Sequence, residues 1–177
     1  MREHGSLVNI ESLIRTIADF PQPGIQFRDI TPLLRDKGGF HRAIDLFVQR
    51  FRDRGIDYVV AIEARGYIFG APLAHAIGAG FIPVRKPGKL PHDKLTENYA
   101  LEYGTNSLEI HSDALAQGDR VVLVDDVLAT GGTAGATLRL LKRLGSHVEA
   151  CAFLLELEAL NGRAALSGVE IVAFVRC

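Results

Sequence analysis

The sequence predicts an α/β fold, a mostly parallel sheet flanked by helices. Three observations lead there. Short apolar runs of strand length alternate along the chain with stretches of helical length and periodicity. The two strongest runs, "IDYVVAIE" and "VVLVDD", each lead within a few residues into glycine that opens a helical pattern. No internal repeat, low-complexity tract or linker divides the 177 residues, so a single domain over 1–177 with a substantial core is expected.

Taken in order, Ile10, Leu13, Ile14 and Ile17 recur at helical spacing, and "FPQPG" from Phe20 to Gly24 ends that helix. Phe40, Ala43, Ile44, Phe47, Val48 and Phe51 outline a second amphipathic helix stopped at Gly55. A buried strand (Ile56 to Glu63) follows, then a helix opened and closed by glycine in "ARGYIFGAPLAHAIGAG", then the strand "FIPVRK". From Pro87 to Asn98 the chain turns polar and loses periodicity, which predicts a long loop. "YALEYGTNSLEIH" alternates about Gly-Thr-Asn and predicts a hairpin. A strand to Asp126, a helix with Ala134, Leu138, Leu141 and Leu144 on one face, a stop at Gly145, and the strands "HVEACAFLLEL" and "VEIVAFV" complete the pattern.

Composition narrows the function. The chain is 47% hydrophobic and 23% charged with a formal net charge of -1, so no basic field points to nucleic acid. The opening "MREHGSLVNI" is too polar for a signal peptide, and no apolar run approaches the roughly 18 residues of a membrane span. A cytoplasmic protein without a membrane partner is expected. Cys151 and Cys177 make no metal-type spacing, and Cys151 reads as a small buried hydrophobe. The six histidines are scattered, and no serine sits in a GxSxG elbow, which argues against a structural zinc and a serine triad.

The informative stretch is "VVLVDDVLATGGTAGATLRLLKRLG", Val121 to Gly145. Gly131 and Gly132 stand where a strand gives way to a helix, so successive backbone N–H groups can converge on an anion, with Thr130 and Thr133 adding hydroxyls. The segment is neither a Walker A loop nor a GxGxxG fingerprint. The glycines alone fit a threonine-capped turn equally well. Asp125 and Asp126 shift the balance, because a buried strand rarely ends in two carboxylates for packing reasons. Acids and an anion site coexist if the ligand separates them: hydroxyls of a sugar against the acids, its phosphate against the glycines. A ribose 5-phosphate has that shape. "EARG", Glu63 to Gly66, repeats the logic with an arginine, and Arg85, Lys86 and Lys89 follow as a cationic cluster suited to a pyrophosphate.

"VVLVDDVLATGGT" resembles the 5-phosphoribosyl 1-pyrophosphate (PRPP) motif of type I phosphoribosyltransferases. Together with "FPQPGIQFRDITPLL", "EARGYIFGAPLA", "VRKPGKLP", "YALEYGTNSLEIH" and "LLEL", nearly the whole chain is similar to the adenine-specific branch of that family. The resemblance implies the type I fold with a small hood (about residues 1–35) contributing to base binding, and a flexible catalytic loop. It implies transfer of phosphoribose from PRPP to adenine, giving AMP and pyrophosphate, with Mg²⁺ carried mainly by PRPP, and a homodimer. By position, Ala129, Thr130, Gly131, Gly132 and Thr133 would hold the 5-phosphate. Asp125 and Asp126 would engage the ribose hydroxyls directly or through the metal shell, and Arg65, Lys86 and Lys89 would hold pyrophosphate. Gln26, Phe27, Arg28 and Leu157 would contact adenine, although Gln26 stands where the family commonly has a small or apolar residue. Glu102 would handle the adenine proton, with Tyr103 beside it.

Two other readings share the motif. One is the same transfer to guanine, hypoxanthine or xanthine, against which the hood segment argues. The other is a PRPP-sensing regulator without catalysis; the chain has no spare length for a DNA-binding domain and no basic face to replace one.

Overall fold

A computed structural model describes residues 8–101 and 104–177. It divides into two compact units, one ending at Leu46 and the other spanning Phe47–Cys177.

In the first unit a 3-10 turn (Glu11–Leu13) leads into strand β1 (Arg15–Ala18), paired antiparallel with β2 (Gln26–Asp29). The helix expected from Ile10 to Ile17 is therefore not formed. Its apolar spacing spans only two turns, and the β-branched Thr16 and Ile17 gain more from a ladder in which Ile17 lies opposite Phe27. "FPQPG" is the connection of that hairpin, with Asp19 Oδ1 accepting from the Gly24 N–H at 2.7 Å. Helix α1 (Thr31–Arg35), opened by Pro32, was not foreseen. Helix α2 (Lys37–Phe51) follows it.

The second unit contains strands β3 (Tyr58–Ile62) and β4 (Gly80–Val84), the hairpin β5 (Lys94–Leu101) and β6 (Gly104–His111), and strands β7 (Arg120–Leu128), β8 (His147–Glu156) and β9 (Ile171–Arg176). Helix α3 (Gly66–Ile77) joins β3 to β4, and α4 (Gly132–Leu144) joins β7 to β8. The main sheet runs β4–β3–β7–β8–β9, every pair parallel, as expected. Alternate residues bury on opposite faces. Val60, Ile62, Val121, Leu123, Cys151 and Phe153 pack with Leu140 and Leu141 of α4 and with Leu108 and Ile110 of the hairpin. On the other face a Cβ added at Gly70 of α3 would come 2.7 Å from the Ala61 Cβ and 3.5 Å from Val59 Cγ1, so only glycine lets α3 lie this close. Phe47 lies beside Phe69, with ring centroids 5.6 Å apart, and meets Phe174 edge-on.

The long loop expected to Asn98 is shorter. Lys94–Leu101 form β5, and the expected Gly-Thr-Asn turn lies inside β6, with Leu101 opposite Gly104. Polar β5 residues hide the strand in sequence; pairing with β6 and packing of Leu95 and Tyr99 on the core supply what composition does not. Cys151 is buried, and burial pushes its thiol up to about 12. Among the described residues no helix is long and apolar enough to cross a membrane.

Candidate functional site

Strands β3 and β7 are neighbours in the sheet, yet the chain leaves them in opposite directions, β3 outward to β4 and β7 outward to β8. Ligands of open parallel sheets bind at such a switch point, beyond the carboxyl ends of the strands. "EARG" follows β3, and "DDVLATGGT" spans the end of β7 and the turn into α4. The motifs that the sequence singled out separately therefore share one edge. Contact is direct: a Cβ on Gly66 would lie 2.8 Å from the Val124 carbonyl oxygen and 3.0 Å from Asp125 Oδ1.

Gly131 precedes α4 at φ 80°, a left-handed conformation that favours glycine, and no side chain caps this helix end. A cleft lined by Asp125, Val127, Leu128 and Ala129 to Ala134 opens against it. The first-turn N–H groups of a helix have no acceptors within the helix, and the helix dipole adds partial positive charge, so an anion is favoured here.

The two acids differ. Asp126 is buried and its carboxylate is bound by the Arg65 guanidinium through Nε. Asp125 is half-buried, and its Oδ1 accepts the Asp126 N–H at 2.9 Å. Burial first, and the neighbouring Asp126 charge second, push the Asp125 carboxyl well above the usual carboxylate range.

The Glu63–Ala64 peptide is cis. Glu63 accepts from Arg85 Nε at 3.2 Å and from the Lys86 N–H at 3.1 Å. Burial raises its pKa, but the Lys86 N–H and the Arg85 guanidinium outweigh that and hold the carboxyl below its ordinary value. Arg85 Nη1 also donates to the Lys89 carbonyl at 3.0 Å, and the Gly88 N–H donates to Glu109 Oε2 at 3.1 Å. Glu63 and Glu109 thus organise the turn whose exposed side chains include Lys86 and Lys89.

The phosphoribosyl transferase domain family matches residues 30–165. An adenine phosphoribosyltransferase of Carboxydothermus hydrogenoformans is 54% identical over 169 residues, 96% of this chain and 99% of the relative. The chain belongs to the adenine phosphoribosyltransferase family. A crystal structure of the family from Thermoanaerobacter pseudethanolicus superposes with a TM-score of 0.93 at 50% identity, covering 97% of this chain and all of that one. The structure of the Saccharomyces cerevisiae family member, 38% identical with a TM-score of 0.88, covers 93% of this chain and 96% of the other. It is complexed with an imino-altritol bisphosphate and adenine.

Of the expected site residues, Asp125, Asp126, Arg65 and Ala129 to Thr133 come together on one edge. Leu157, half-buried after β8, donates its N–H to the Leu128 carbonyl at 2.9 Å. In the first unit Gln26 is exposed, Phe27 meets Phe20 edge-on with centroids 5.2 Å apart, and Arg28 bonds the Thr16 hydroxyl. Asp29 is the anchor of that segment and was missed. Hydrogen bonds from the Thr31 side chain and from Arg15 hold its carboxyl at about 2. Glu102 and Tyr103 lie outside the described residues. Sequence marks Glu63 only as part of an anion site, and its one signal for Glu156 is a carboxylate closing a buried strand, as at Asp125.

Among the described residues no cluster of three or more acidic, histidine or cysteine side chains is placed to hold a metal ion. Mg²⁺ commonly binds through one or two carboxylates completed by substrate oxygens and water. Asp125 and Asp126 fit that donor chemistry.

Proposed function

We infer that the protein transfers the 5-phosphoribosyl group of PRPP to adenine, giving AMP and pyrophosphate, a pentosyl transfer of purine salvage. The observation that carries this is the sharing of one switch-point edge by a carboxyl pair, an arginine and an uncapped helix N-terminus. That edge, with the nearby turn of Lys86 and Lys89, is assigned to PRPP as follows. The backbone of Ala129 to Thr133 takes the 5-phosphate. Asp125 and Asp126 take the ribose hydroxyls, and Arg65, Lys86 and Lys89 take the pyrophosphate. The adenine and bisphosphate bound to the yeast relative support the same pairing of ligands.

Breaking the C1–oxygen bond builds positive charge on the sugar and negative charge on the leaving group. The chain's task is to hold both without water. Arg65 is tied to Asp126 before substrate arrives, so its guanidinium is already oriented. Asp125 and Asp126 would steady the Mg²⁺ that PRPP carries, which would supply neutralising charge to pyrophosphate. Phe27 and Arg28 hold adenine, aided by Gln26 and by Leu157, in a hood of about residues 1–35. Glu102, with Tyr103, accepts the proton that adenine releases as the new bond forms. The working form is a cytoplasmic homodimer with its fold in a single catalytic domain.

The test is AMP formation from PRPP with each purine base, with and without Mg²⁺. Adenine should be converted at least about 100-fold better than guanine or hypoxanthine, because a 6-oxo base leaves the site's polar partners unpaired. Comparable use of guanine would refute the adenine assignment.

A further inference from the structure

Glu156 closes β8 with its side chain only 5% exposed, and no substrate contact falls to it in the reading above. Arg163 meets it fork to fork, Nε to Oε1 at 2.6 Å and Nη2 to Oε2 at 2.7 Å. Two parallel charge-assisted bonds fix orientation as well as distance. Arg176 Nε stands 3.6 Å from Oε2, too long for a comparable bond. The pairing stands out because its arginine belongs to the 3-10 turn Gly162–Leu166.

That turn lies directly behind the phosphate loop. A Cβ on Gly131 would overlap the Gly162 carbonyl oxygen and come 2.9 Å from the Ala165 Cβ. A Cβ on Gly162 would overlap the Ala129 carbonyl oxygen and come 2.9 Å from Leu128 Cδ1. One turn further along α4, a Cβ on Gly135 would reach 3.4 Å from the Ala165 carbonyl oxygen. Loop and turn therefore approach backbone to backbone at Gly131 and Gly162, with Ala165 and Leu128 packed beside the contact. Any displacement of the turn is transmitted to the loop without a compressible layer to absorb it.

We propose that the Glu156–Arg163 pair is a positioning device for the phosphate loop: it pins the turn 162–166 against Ala129–Gly131 and so fixes the N–H groups that converge on the 5-phosphate. The proposal rests on the assignment of that loop to the 5-phosphate. Arg163 is assigned to act through the backbone of its turn, with its Nε and Nη2 bonded to Glu156. The effect is thus confined to ligands that carry the 5-phosphate.

The test measures affinity for ribose 5-phosphate, pyrophosphate and adenine by calorimetry, with PRPP kinetics alongside, in Arg163→Met, Arg163→Lys and Thr133→Asp. Arg163→Met should weaken ribose 5-phosphate and raise the KM for PRPP by about 10-fold or more, as expected for a slack binding group. Its kcat at saturating PRPP should stay within about 3-fold, with pyrophosphate and adenine affinities unchanged. Arg163→Lys, which keeps charge but not the fork, should fall between, and it carries the test alone if Arg163→Met does not fold. Thr133→Asp puts a carboxylate in the loop while favouring the helix N-terminus, so it should abolish ribose 5-phosphate binding in a folded protein. If Thr133→Asp still binds ribose 5-phosphate, the loop assignment falls and the proposal with it. If Thr133→Asp loses binding but the arginine variants keep it, the positioning role is wrong. Equal loss for all three ligands in the arginine variants would also overturn it, by making the pair a general structural brace.

Discussion

Replacing Gly131 by alanine separates two costs that the structure places at one residue. The first is conformational. Gly131 has φ 80° and Gly78, after α3, has φ 72°, so an alanine at either site meets a left-handed penalty of about 1–2 kcal/mol. The second is steric and belongs to Gly131 alone. Its Cβ would overlap the Gly162 carbonyl and press on Ala165, whereas a Cβ at Gly78 meets nothing within 4 Å. Overpacking of this kind costs about 1–3 kcal/mol, so Gly131→Ala should lose that much more stability than Gly78→Ala. For a chain of this size the melting temperature falls roughly 2–4 °C per kcal/mol, so the gap is several degrees. Urea melts of both variants, paired with titration of PRPP, make the measurement. Gly78→Ala should bind PRPP normally, while Gly131→Ala, with its loop displaced, should bind about 10-fold or more weakly. Equal destabilisation would refute the close approach of loop and turn. Normal PRPP affinity in a destabilised Gly131→Ala would refute the loop as the 5-phosphate site.

Three further outcomes are expected. Arg65→Gln should weaken pyrophosphate by about 10-fold or more in the reverse reaction, with a smaller loss for ribose 5-phosphate because Asp126 loses its counter-charge, checked by product-inhibition kinetics. Asp125→Asn should stabilise the ligand-free protein near neutral pH while weakening PRPP, read from melts with and without ligand. Glu102→Gln should lower kcat by roughly 10²–10⁴ with little change in the KM for PRPP, because it keeps shape but cannot accept the proton. A near-normal kcat there would make Glu102 a positioning group.

The sheet was legible because its strands are buried on both faces and read as unbroken apolar runs, such as Val121 to Val124. The glycines at 78 and 145 closed α3 and α4 where expected, each in the left-handed conformation a helix stop uses. What failed was local. Ile10 to Ile17 carries a helical spacing too short to compete with a hairpin, and β5 is a strand by its partner rather than its own residues. In the site, sequence singled out Asp125, Asp126 and Ala129 to Thr133, which the structure brings to one edge. It could not identify their supports, since Glu63, Glu109 and Glu156 act through partners 7 to 23 residues away, at Arg163, at Gly88 and at Arg85 with Lys86. A pairing across a fold leaves no spacing to read.

The carboxyl pair accounts for two acids beside the proposed anion site. Asp126 is neutralised by Arg65 before any ligand binds, which leaves Asp125 as the group held against its preference. The sign follows from its raised pKa. In the unfolded chain Asp125 ionises in the ordinary range near pH 4, while in the fold it keeps its proton to higher pH. The ligand-free protein therefore loses stability as pH rises from that range through the folded value, and above it the full penalty is present. In the proposed complex, a ribose hydroxyl donating to the ionised carboxylate, with metal charge nearby, would reverse that preference. PRPP should then bind with proton release wherever the free site is protonated, and its stabilisation of the fold should grow as pH rises through the same window. Asp125→Asn removes the ionisation and should flatten both dependences. If melts across pH show the same ligand-free slope in the variant as in the native protein, the strain at the end of β7 lies in another group.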